Sequence, residues 1–130
     1  MAYMWVAIGS GLGGVGRYAC SRAMASWLGA GFPWGTLLVN VAGSFLIGLI
    51  AGLAGPGGRI GADLRLFLTV GLCGGFTTFS AFSFETMELL RERHLAAAGA
   101  NVLASVLVCL AGVWLGSLAA GAFSGGESGP

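Results

Sequence analysis

The sequence predicts an all-α membrane fold with four transmembrane helices, on three observations. Of its 130 residues 56% are hydrophobic and only 8% charged, against about 25% charged in a typical soluble domain. Six basic and five acidic side chains cannot cover a water-soluble body of this size. The charges are also absent from long stretches, since 1–16, 23–58, 66–84 and 95–126 carry none. A spanning helix needs about 20 apolar residues, so four spans use nearly the whole chain. Finally, 25 glycines against three prolines fit helices whose backbones approach closely in lipid, where hydrophobic burial cannot drive association. These numbers exclude a soluble enzyme, a nucleic-acid binder and a large extramembrane domain. Every basic residue is arginine, and none forms a polybasic patch.

The spans fall at about 3–28, 34–54, 64–90 and 96–122. The first has no basic stretch before it, and its first arginine is Arg17, which argues against a cleaved signal peptide. Gly29-Ala30-Gly31-Phe32-Pro33 ends it, and Gly55-Pro56-Gly57-Gly58 ends the second span. Arg91-Glu92-Arg93-His94 marks a water-facing end after the third. Tyr3, Trp5, Trp27 and Trp34 lie at span ends, where amphipathic rings prefer the headgroup region. Residues 1–123 thus form the transmembrane domain, and 124–130 a flexible C-terminal tail. Cys20, Cys73 and Cys109 lie singly in apolar surroundings, without the spacing of a disulfide framework or a zinc site.

Orientation stays undecided. One side would hold Arg59 and Arg65, the other Arg22, Arg91 and Arg93. So even a split gives the positive-inside rule little to act on. A single weakly biased orientation and insertion both ways, which allows an antiparallel homodimer, are equally open. Every span carries a GxxxG (Gly9/Gly13, Gly48/Gly52, Gly71/Gly75, Gly112/Gly116), so all four should pack against protein, and oligomerisation is expected.

Polar residues recur at four-residue spacing, on one helix face each: Thr36, Asn40 and Ser44, then Thr69, Cys73 and Thr77, then Asn101, Ser105 and Cys109. Serine and threonine can bond their own helix backbone. Asn40 cannot be explained so, and is either interhelical glue or a ligand for something crossing. In Gly74 to Glu85, two glycines and two threonines make a poor helix centre. A break there frees backbone carbonyls, which membrane depth tolerates where they bind an ion or line a wet cavity. Phe76, Phe79 and Phe82 follow at three-residue spacing. Aromatic ring edges are positive, and beside amide and hydroxyl donors they suit a small anion without a fixed cation. Ordinary packing is the plainer use of these rings.

Three motifs, in order, resemble the Fluc (CrcB) family of fluoride channels: 13–18 (GGVGRY), 35–45 (GTLLVNVAGSF) and 74–85 (GGFTTFSAFSFE). The resemblance runs nearly the full length. It implies a passive, fluoride-selective channel of the inner (plasma) membrane that exports fluoride and lowers its toxicity. It further implies a broken third helix and an antiparallel, dual-topology homodimer with two pores. By motif position Asn40 would donate to fluoride, Phe79 and Phe82 would present ring edges, and Ser80 a hydroxyl, with Ser105 and Asn101 as further track or vestibule residues. A structural Na+ on the dimer axis would be held by the carbonyls of Gly74 and Thr77. Arg17 would lie near an aqueous vestibule, either attracting the anion or serving as structural partner for Glu85 or a carbonyl. One departure is Ala81, where the family commonly has threonine, so a hydroxyl is missing from the polar track.

The rival reading is a small dual-topology, proton-coupled multidrug exporter. It needs an acidic residue in the first span, which has Arg17 and no Asp or Glu. A non-transporting subunit would leave Asn40 unexplained. An enzyme is least expected, because His94 is the lone histidine and no nucleophile–base pair is evident.

Overall fold

A computed structural model describes residues 1–55, 58 and 60–124. Arg59, part of the glycine-proline turn and residues 125–130 of the tail lie outside the described residues. The described chain is all-helical: α1 (Ala2–Leu28), α2 (Trp34–Leu53), α3 (Ala62–Leu66), a π-helical stretch (Phe67–Cys73), α4 (Gly74–Phe76), α5 (Phe79–Arg91) and α6 (Leu95–Ser124). Three segments are long and apolar enough to cross a membrane, namely Trp34–Leu53, Ala62–Arg91 and Leu95–Phe123. Although α1 has 27 residues, it is not among them. Two arginines, three serines and its glycines dilute its apolar side chains.

Helix α2 packs most extensively on α6, and α1 on the π-helical stretch and α4. Glycine makes both crossings possible. A Cβ on Gly9 would stand 2.7 Å from the Phe67 carbonyl oxygen, and one on Gly48 would collide with the Val113 carbonyl. Gly9 and Gly13 thus meet Gly71 and Gly75, while Gly48 and Gly116 seat α2 against α6. All four GxxxG motifs are engaged within one chain, so they do not by themselves require a partner.

A cavity of about 300 Å³ is lined by both the α1–α2 turn and the end of α5, which puts those two turns at the same end. Gly29 (φ 80°) and Arg93 (φ 60°) adopt left-handed backbone in them. The buried apolar set is small: Val39, Ile50, Cys73, Leu89, Ala98 and Ala120. Most large apolar side chains, including Tyr3, Trp27, Trp34 and Trp114, face outward. That inversion fits a lipid surround. Trp5 is the exception among the end aromatics, packing edge-on against Phe67 with centroids 6.1 Å apart.

Candidate functional site

The apolar segment Ala62–Arg91 is interrupted at Thr77 and Thr78, whose backbones are extended (φ −89°, ψ 157° and φ −154°, ψ 117°). The residue types expected to weaken a helix here are the ones that leave it. Asn40 of α2 closes on the interruption from both directions. Its Nδ2–H donates to the Thr78 carbonyl at 3.1 Å, and its Oδ1 accepts the Thr78 N–H at 2.7 Å. One amide hydrogen of Asn40 remains uncommitted to Thr78.

The freed backbone groups have identifiable fates. In an unbroken helix the Thr78 N–H would close onto the Gly74 carbonyl, and the Ala81 N–H onto the Thr77 carbonyl. The first goes instead to Asn40, and the second to Thr78 Oγ1 at 3.1 Å, which caps α5. Gly74 and Thr77 therefore each lose the amide partner that a continuous helix would supply. The Gly75 carbonyl accepts from Arg17 Nε at 3.2 Å. Of the roles open to Arg17, the structure shows the carbonyl partner. Glu85 is bonded elsewhere: Thr36 Oγ1 donates to its Oε1 at 2.7 Å, while its buried Oε2 has no hydrogen-bond partner among the described residues.

Asn40, Thr77, Thr78, Phe79, Phe82 and Ser105 line a single open groove of about 450 Å³, which Ser44 and Cys109 also reach. The rings of Phe79 and Phe82 are tilted by 45° with centroids 5.5 Å apart. Phe79 is 79% exposed, Phe82 only partly so. Ser80 is outside the lining and lies 3.2 Å from the Thr78 hydroxyl. Gly74 is exposed, and Gly74, Arg17 and Glu85 are not part of the groove lining. Among the described residues no group of three or more His, Cys, Asp or Glu side chains is placed to hold a metal ion. The cysteines are free thiols. Polar donors here are thus amide, hydroxyl and ring edge, in an otherwise apolar wall.

Sequence reasoning did not foresee the long-range pairings. The Asn40–Thr78 pairing joins residues 38 apart, and the Thr36–Glu85 bond joins residues 49 apart. The isolated polar residues were visible signals, but their partners lie on other helices.

A family model described as CrcB-like protein, Camphor Resistance (CrcB), matches residues 4–117. The chain is 50% identical over 122 residues to a protein of Methylocella silvestris named fluoride-specific ion channel FluC, covering 92% of this chain and 93% of that one. A protein of the same name from Opitutus terrae is 52% identical over 120 residues, with 91% of each chain covered. One from Rhodospirillum rubrum is 50% identical over 122 residues, covering 92% and 95%.

Proposed function

The chain belongs to the CrcB-like family, and on that premise we propose that it is a passive, fluoride-selective channel that carries fluoride out of the cytoplasm. It is a multi-pass protein of the inner membrane, a transporter and not an enzyme. The single observation that carries the reading at residue level is the groove beside the interrupted helix. There an asparagine amide, two serine hydroxyls and two phenylalanine rings converge, with no basic side chain among the described lining residues. Fluoride entering as neutral HF ionises inside. An interior-negative potential then favours its exit by about 2.3 kcal/mol per charge per 100 mV, so no ATP is needed.

Asn40 donates its second amide hydrogen to the anion, Phe79 and Phe82 offer ring edges, and Ser105 and Ser80 supply hydroxyls. Arg17 sits toward a vestibule, where its charge is less costly than at depth, and Glu85 is a structural charge. Helix α1 is the fourth span, and two oppositely inserted copies form an antiparallel homodimer. A structural Na+ at its two-fold axis takes the carbonyls of Gly74 and Thr77. The diversion of their amide partners supports this fit, because carbonyls that lose their helix partners at membrane depth are tolerated where they bind an ion or line a wet cavity. The exporter reading is not favoured, since α1 lacks an acidic side chain.

Purified protein in liposomes, monitored with a fluoride electrode, tests the reading. Fluoride efflux with negligible chloride flux is expected, suppressed by Phe79→Ile. Equal fluoride and chloride fluxes, or no flux from well-folded protein, would overturn it. A cysteine placed at Gly61 and labelled from outside intact cells tests insertion. Labelling of about half the copies is expected, whereas labelling of none or all excludes both orientations.

A further inference from the structure

Asn101 is 1% exposed on α6 and does not line the groove. Its Nδ2–H donates to Thr86 Oγ1 on α5 at 2.9 Å. Thr86 has one hydroxyl hydrogen, and it goes to the Phe82 carbonyl at 2.7 Å. Thr86 therefore meets Asn101 with a lone pair, and the sequence of donors has one direction: amide of α6, hydroxyl of α5, carbonyl of Phe82. At the other end the buried Ser105 hydroxyl lies 3.5 Å from Asn101 Oδ1, its acceptor. The amide orientation is set at Thr86, which has only a lone pair to offer and so takes Nδ2, leaving Oδ1 toward Ser105.

Helix α5 needs such a tether. It begins at the interruption, and Leu89 is its one buried residue. Phe79 and Phe84 are exposed, and α5 packs far less on α6 than α2 does. In lipid, hydrogen bonds between helices fix a helix's rotation where burial cannot, and among the described residues α5 has two, Thr36–Glu85 to α2 and Asn101–Thr86 to α6. Phe82 and Thr86 lie one turn apart on the same face, so fixing Thr86 fixes the direction of the Phe82 ring.

From these contacts we infer that Asn101 is a positioning residue. Acting through Thr86, it sets the rotation of α5 that keeps Phe82 in the groove wall, and it does not itself contact the anion. The inference rests on the channel reading above.

Fluoride efflux from liposomes tests it with Thr86→Val, which keeps the shape and loses the hydroxyl, and Thr86→Ser, which restores the hydroxyl. Thr86→Val should slow efflux about tenfold, the effect of one lost buried hydrogen bond, and Thr86→Ser should return it to within about twofold of the parent. Asn101→Leu should match Thr86→Val, and the double variant should be no slower than either single one, because one interaction is being removed twice. Full-rate Thr86→Val, a Thr86→Ser as slow as Thr86→Val, or additive losses would overturn the inference. Should Asn101→Leu fail to fold, the Thr86 pair decides. Absence of flux in the parent protein refutes the channel reading, whereas parental flux with an unimpaired Thr86→Val refutes only the role of Asn101.

Discussion

Replacing Asn40 separates the bonds that hold the helix interruption. Its side chain gives one hydrogen bond to the Thr78 carbonyl at 3.1 Å and takes one from the Thr78 N–H at 2.7 Å. Each is worth about 1 kcal/mol net. Asn40→Ala forfeits both, about 2 kcal/mol or roughly thirtyfold in the local opening equilibrium. Amide hydrogen exchange resolved by NMR in nanodiscs measures that opening residue by residue. The Thr78 amide should exchange about thirtyfold faster in Asn40→Ala. Asn40→Asp keeps an acceptor for that amide, so its protection should stay within about threefold of the parent. Fluoride efflux should fall in both variants, because each lacks the amide hydrogens. Equal Thr78 protection in the parent and in Asn40→Ala would refute the argument, since the side chain would then not be what holds the interruption.

Substitutions at four further positions probe the packing and caps. Gly48→Ala drives a Cβ into the Val113 carbonyl and should lower stability by about 1–3 kcal/mol, read as a reduced thermal midpoint in detergent. Gly14→Ala, which meets nothing within 4 Å, should be neutral or gain up to about 1 kcal/mol, and a loss equal to that of Gly48→Ala would contradict the crossing geometry. Arg93→Gly relieves a left-handed backbone at φ 60° and should raise the midpoint by the equivalent of about 1 kcal/mol; a lower midpoint would show that the arginine side chain outweighs its backbone. Thr78→Val removes the hydroxyl that caps α5 at the Ala81 N–H and should cost about 1 kcal/mol, with Thr78→Ser recovering most of it.

Much of this architecture was legible because membrane helices write their signals locally. Gaps between charges marked the apolar segments, and Gly74-Gly75 followed by Thr77-Thr78 marked the weak point, since both residue types disfavour helix centres. Asn40, Phe79, Phe82 and Ser105 were legible as unusual residues, and the fold brings all four to one groove. Their partners were not legible. Which carbonyl Asn40 pairs with depends on how α2 crosses the interruption, and that crossing is fixed by Gly43 against the Thr77 side chain. The π-helical stretch Phe67–Cys73 left no local mark either. Within it Gly71 meets Gly9 of α1 at close range, a contact between residues far apart in the chain.

The two readings open for Asn40, interhelical glue or ligand, turn out to be compatible by hydrogen-bond arithmetic. A primary amide offers two hydrogens and one carbonyl oxygen. Thr78 takes one hydrogen and one lone pair, which fixes the amide plane and leaves one hydrogen whose direction is no longer free. A donor locked in this way loses little rotational entropy when an anion arrives. It also carries no charge that would hold the anion too tightly to release. The scarcity of charge then acquires a mechanical reason. Arg17 is turned to the Gly75 carbonyl and Glu85 to Thr36, so both ionic groups nearest the interruption stabilise its flanks. The groove itself is left to neutral donors, which suits binding that must be strong enough to enter and weak enough to leave.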